Sequence, residues 1–106
     1  MSVQSLSART FEAAIQSRKL ALVDFSAGWC PPCKTLMPIL EQLSEEEGEL
    51  ADIYSIDVDE WPELAERFAV MSMPTVFAFK RGEPLEKLVG LRPKTVYQAV
   101  IQRHAR

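Results

Sequence analysis

The chain has 106 residues, 47% of them hydrophobic and 25% charged, with a formal net charge of −3 and two cysteines. That length predicts one domain, residues 1–106, able to bury a core without covalent staples, and the mild acidic balance with no basic stripe argues against nucleic acid as a partner. No apolar run approaches the roughly 20 residues of a membrane span, and the opening MSVQSLSART has no basic segment leading into an apolar one, so the expectation is a cytoplasmic protein, where paired cysteines tend to be catalytic or metal-binding.

Residues 3–6 read as a short first strand, and Ser7 as the N-cap of a helix with Phe11, Ala14 and Ile15 on one face. The run Leu20 to Ala27 is apolar on both alternating faces, as in a central strand covered on both sides. Beyond the cysteines, Leu36, Ile39, Leu40 and Leu43 recur at helical spacing until Gly48 can end the helix. Pro38 lies inside that helix, where it removes a backbone hydrogen bond and predicts a kink. The acidic run Glu45 to Glu49 reads as a solvated helix end. Residues 51–58 form a second core strand, and Asp59, Glu60 and Pro62 mark a short helix reaching about Phe68.

Residues 75–80 and 86–90 read as strands joined by a turn in RGEP, 81–84. Pro93 opens a last helix with Val96, Val100 and Ile101 as its buried stripe. Trp61 and Tyr54 are given packing or surface roles. The order β-α-β-α-β-α-β-β-α predicts an α/β fold, a central mixed sheet of four to five strands flanked by about four helices. It is expected to be parallel through the crossover helices and antiparallel at the final hairpin.

The chemistry concentrates in GWCPPCK, residues 28–34. Cys30 falls between a central strand and a helix, and helix N-termini favour a thiolate over a thiol. Cys33 lies one turn further in, less accessible and within bonding reach. This placement makes Cys30 the attacking thiol and Cys33 the resolving one. Pro31 and Pro32 tune the loop: they fix φ and carry no N–H, so the Cys33 amide is the first donor that a Cys30 thiolate meets along the chain. A C-x-x-C pair is also half of a zinc site, but the other half is missing, since no further cysteine exists and His104 is the sole histidine. No metal is therefore expected.

Asp24 is a carboxylate inside an apolar strand, where an unpaired charge is costly unless its pKa rises. A fraying strand end would leave it exposed and idle. The functional alternative has it beneath the helix start, exchanging a proton with Cys33 as that thiol attacks.

Beyond the cysteine pair, VDFSAGWCPPCK, SMPT, LVGL and FKRGE together resemble the thioredoxin family across essentially the whole chain. The resemblance implies the thioredoxin fold and general reduction of protein disulfides, with electrons from a flavin-containing, NADPH-dependent thioredoxin reductase and no cofactor on the chain itself. By position it implies that Trp29 is an apolar wall beside Cys30, that Met73 offers its backbone to an extended substrate segment, and that Pro74 is cis and packs on the cysteines. It also implies that Gly90 allows close approach of substrate and that Lys34 follows the pair at the helix start. Two positions depart from the family pattern. Pro31 stands where glycine is usual, which bears on the redox potential, and Ser55 stands where some members place a lysine beside the buried aspartate.

Each of these residues also has a plainer role. Trp29 could be core packing, Gly90 a strand end, and Met71 and Met73 gap-fillers, while most X–Pro bonds are trans. Two other functions compete with general reduction: a specialised oxidase, isomerase or dedicated electron donor, and a non-enzymatic binding module using the Trp29 face. One core accounts for the apolar positions, so a monomer is expected.

Overall fold

The structure, a computed structural model, describes residues 2–105. The first strand is the brief β1 (Gln4–Ser5), followed by α1 (Ala8–Gln16). Ser7 caps α1 by accepting from the Arg9 amide, while the Thr10 hydroxyl accepts from the Ser7 amide, so two of the donors left free at a helix start are satisfied. Then come β2 (Leu20–Ser26), α2 (Pro31–Glu46), β3 (Ala51–Asp57) and α3 (Pro62–Arg67), and after them β4 (Thr75–Lys80), β5 (Glu83–Val89) and α4 (Lys94–His104). Pro38 lies within α2, as its sequence position requires.

The strands form one five-stranded sheet in the order β1-β3-β2-β4-β5, with β2 at its centre. β1, β3 and β2 run parallel, whereas β4 is antiparallel to β2 and β5 to β4. The expected parallel crossover into β4 is therefore wrong. The six residues of α3 rise only about 9 Å, too little to carry the chain back along a strand of about 23 Å. β4 consequently starts at the end of the sheet where β3 stops.

The hairpin also differs from expectation. Its turn is the two-residue Arg81–Gly82, with φ of +53° and +84°, the conformation whose twist suits tight hairpins. β5 begins at Glu83 and includes Pro84, which an edge strand tolerates.

Alternation along β2 divides the core. Ala21, Val23 and Phe25 join Phe11, Ile15 and Leu64 on the α1 and α3 side, where Phe68, Phe77 and Phe79 add an aromatic cluster. Leu20 and Leu22 join Leu36, Leu40, Leu43, Val100 and Ile101 on the α2 and α4 side. In α4 the third buried position is Tyr97, fully enclosed, instead of the expected Val96. The aromatic ring reaches the sheet from a position that hydrophobicity alone ranks below valine.

Candidate functional site

Cys30 is the N-cap of α2, in extended backbone, and its sulfur accepts a hydrogen bond from the Cys33 amide at 3.3 Å. Neither Pro31 nor Pro32 has an N–H, so this amide is the first donor available after Cys30. Cys30 and Cys33 are joined in a disulfide, with Cα atoms 5.3 Å apart. Their exposures are 4% and 2%, so the tertiary structure leaves little difference in accessibility between them.

The loop before β4 meets the pair. Its Met73–Pro74 peptide is cis, and the Met73 carbonyl oxygen lies 3.7 Å from Cys30 Sγ. The Gly90 amide donates to the Pro74 carbonyl at 2.8 Å, which fixes the end of β5 beside the same loop. Gly90 has φ +86°, and a Cβ built there would meet nothing within 4 Å. Glycine is thus required by the backbone conformation, and the space over it is open.

Trp29 is 64% exposed, which rules out the core-packing role. Its indole N–H donates to Asp59 Oδ2 at 2.8 Å. Asp59 had only a helix-start role in the sequence, because nothing in a separation of 30 residues signals the contact. Met71 is 90% exposed, while Met73 packs partly against the core. The structure therefore brings Trp29, Met73, Pro74 and Gly90 around Cys30. Lys34 is exposed and points elsewhere, into a cleft on the β1 side of α2.

Asp24 is 1% exposed, and neither carboxylate oxygen has a hydrogen-bond partner among the described residues. Its neighbours in register are Ser55 on β3 and Val76 on β4. Burial without compensation pushes its pKa up to about 7. The fraying-end alternative is excluded by position, since Asp24 lies inside β2 and pairs on both sides. Among the described residues no group of three or more His, Cys, Asp or Glu side chains could hold a metal ion.

This geometry can perform thiol chemistry: a sulfur held at a helix start, a second sulfur bonded to it, and a buried carboxyl that titrates near neutrality. Comparison with known proteins points the same way. A family model described as Thioredoxin matches residues 2–103. A thioredoxin of Staphylococcus haemolyticus is 44% identical over 104 residues, covering 98% of this chain and 99% of that protein. A thioredoxin of Staphylococcus aureus is 40% identical over the same length, with the same coverage. Among solved structures, a Malassezia sympodialis thioredoxin superposes with a TM-score of 0.91 at 34% identity, covering 99% of this chain and 92% of that one. A mutant thioredoxin from Halobacterium salinarum gives 0.92 at 30%, with the same coverage.

Proposed function

The chain belongs to the thioredoxin family, and on that premise we propose how its residues carry out disulfide exchange. It is a thiol-disulfide oxidoreductase that reduces protein disulfides. Cys30 attacks first, because the Cys33 N–H and the positive dipole end of α2 stabilise its thiolate. A bond forms between Cys30 Sγ and one substrate sulfur, and the substrate disulfide breaks. Asp24, as carboxylate, then takes the proton from the Cys33 thiol, directly or through water. The Cys33 thiolate attacks Cys30 Sγ, the reduced substrate leaves, and the Cys30–Cys33 disulfide remains.

Trp29, Met73, Pro74 and Gly90 form the face on which the substrate segment lies, and Lys34 adds a positive charge just after the pair. Pro31 and Pro32 set the stiffness of the loop. Thioredoxins act on disulfide-containing proteins and are recycled by thioredoxin reductase; for this chain we take the reductase to be NADPH-dependent and the compartment to be the cytoplasm. No helix among the described residues is long and apolar enough to cross a membrane. The oxidase, isomerase and non-enzymatic alternatives are not favoured by kinship over 98% of the chain.

The observation that carries the mechanism is the Cys33 N–H bonded to Cys30 Sγ at the first turn of α2. Cys30→Ser is expected to abolish turnover, and Cys33→Ser to accumulate the mixed disulfide, both read by non-reducing electrophoresis and mass spectrometry. Release of substrate from the Cys33→Ser protein at the wild-type rate would overturn the assignment.

A further inference from the structure

After β5 the chain crosses to α4 through Gly90, Leu91, Arg92 and Pro93. An exposed arginine in such a connection ordinarily samples many rotamers, but Arg92 is tied at two points. Its backbone amide donates to the hydroxyl of the enclosed Tyr97 at 3.3 Å, and its Nε donates to the Val89 carbonyl at 3.2 Å. The second bond folds the side chain back, so the guanidinium lies against the peptide that joins Val89 to Gly90. The Gly90 amide is bonded to the Pro74 carbonyl, which places this guanidinium one strand away from the loop that meets Cys30.

The Val89 carbonyl occupies Nε alone, and the Nη1 and Nη2 groups have no partner among the described residues. Lys19, Arg67, Lys94 and Arg103 each meet a carboxylate, whereas Arg92 meets none among the described residues. Lys87, two residues before Val89, is turned away over the Phe77 ring and toward the Ala69 carbonyl. Val89 and Leu91, on either side of Gly90, are 45% and 41% exposed, so the described chain leaves this edge uncovered. The open Nη1–Nη2 edge of a guanidinium matches the two oxygens of a carboxylate. Because the side chain is already ordered, engaging such a partner sacrifices little further conformational freedom.

We propose that Arg92 is a specificity-determining residue, selecting protein substrates that carry an aspartate or glutamate a few residues from the attacked disulfide. The spacing follows from the fold. The Met73 carbonyl lies against Cys30 Sγ, and the step across the sheet from Pro74 to Gly90 adds about 5 Å, so a segment extended at about 3.3 Å per residue reaches the guanidinium within about four residues of its cysteine. Arg92 takes no part in the exchange of sulfur bonds. It speeds encounter with acidic segments and steadies them over Gly90. This role rests on the substrate segment lying on the face formed by Trp29, Met73, Pro74 and Gly90.

The test uses the full chain in its reduced form, with no reductase present. The probes are short alanine-based peptides whose single cysteine is joined in a disulfide to thiopyridine, with glutamate or glutamine placed in turn at each position within about four residues on either side. Release of thiopyridone gives the rate constant, referred for each protein to its rate with dithiodipyridine, a neutral disulfide too small to span from Cys30 to Arg92. Wild type is expected to favour glutamate over glutamine about fivefold at the best position in low salt, and far less at about 0.5 M salt. Arg92→Ala is expected to lose the preference, and Arg92→Lys, which keeps the charge without the fork, to retain only part of it. The readout is a ratio within one protein, so a partly unfolded variant leaves it interpretable. Trp29→Ala tests the face itself and is expected to slow every peptide relative to dithiodipyridine. If wild type shows no preference, or Arg92→Ala keeps it, while Trp29→Ala slows the peptides, the Arg92 role fails and the substrate face survives. If Trp29→Ala leaves the relative peptide rates unchanged, the substrate face fails and the Arg92 role with it.

Discussion

At Asp24 the carboxyl has lost water without gaining a partner among the described residues, and the consequence extends from chemistry to stability. Its ordinary value of 3.8 rises to about 7 in the folded chain, so between those values the folded state holds a proton that the unfolded state has released. Stability is then highest below about pH 4 for this group, falls as pH rises toward 7, and levels off above that. Over that window the loss amounts to about 4 kcal/mol at one pKa unit per 1.36 kcal/mol. Asp24→Asn removes the ionisation. Urea denaturation of the oxidised protein should therefore find the variant more stable than wild type at pH 8, with the advantage shrinking toward pH 5. Equal pH slopes for the two proteins would mean that Asp24 keeps an ordinary carboxylate value in the folded chain. At this scale the sequence announces the anomaly, a charge in an apolar strand. What it does not announce is that neither the register partner Ser55 nor any other described side chain pairs with it.

At the scale of elements, the start of α2 does most of the chemistry, because it is where a strand end, two prolines and a helix dipole meet. The loop keeps the Cys33 amide on Cys30 Sγ although proline occupies both intervening positions. For the family to which the chain belongs, the reduction potential lies near about −270 mV, and Pro31 removes an N–H that could stabilise the Cys30 thiolate of the reduced form, so we expect a value at or below about −250 mV here. Equilibration in defined thiol buffers at pH 7 with alkylation readout measures it. A potential above about −200 mV would mean that Pro31 has turned the site toward oxidising work. The β4–β5 hairpin supports the site from the other side. Its turn is tied back to the end of α1 by the Arg81 and Gly82 amides, which donate to the Ser17 and Ile15 carbonyls at 3.0 and 2.7 Å. Its far end delivers Gly90 to the Pro74 loop. The glycine-containing turn was readable; its true length was not, since Pro84 looks like a turn residue until the edge position of β5 is known.

For the whole molecule, the two apolar clusters lie on opposite faces of a single sheet and share β2 and β4 as a common wall. Losing either cluster exposes strands that the other needs. We therefore expect the chain to unfold as one cooperative unit: far-UV dichroism and tryptophan fluorescence in urea should give coincident midpoints for the oxidised protein. Separate transitions would mean that the faces fold independently. The sequence by itself determined the alternation of strands and helices, the cysteine pair at a helix start and the odd carboxylate beside it, because periodicity, turn chemistry and local spacing are properties of neighbours in the chain. Only the tertiary structure decided the direction of β4, the enclosure of Tyr97, the grip of Asp59 on Trp29 and the cleft that joins Ser26, Ser55 and Cys33. These depend on how far a short helix can carry the chain and on which side chains meet across strands, and no local pattern encodes either.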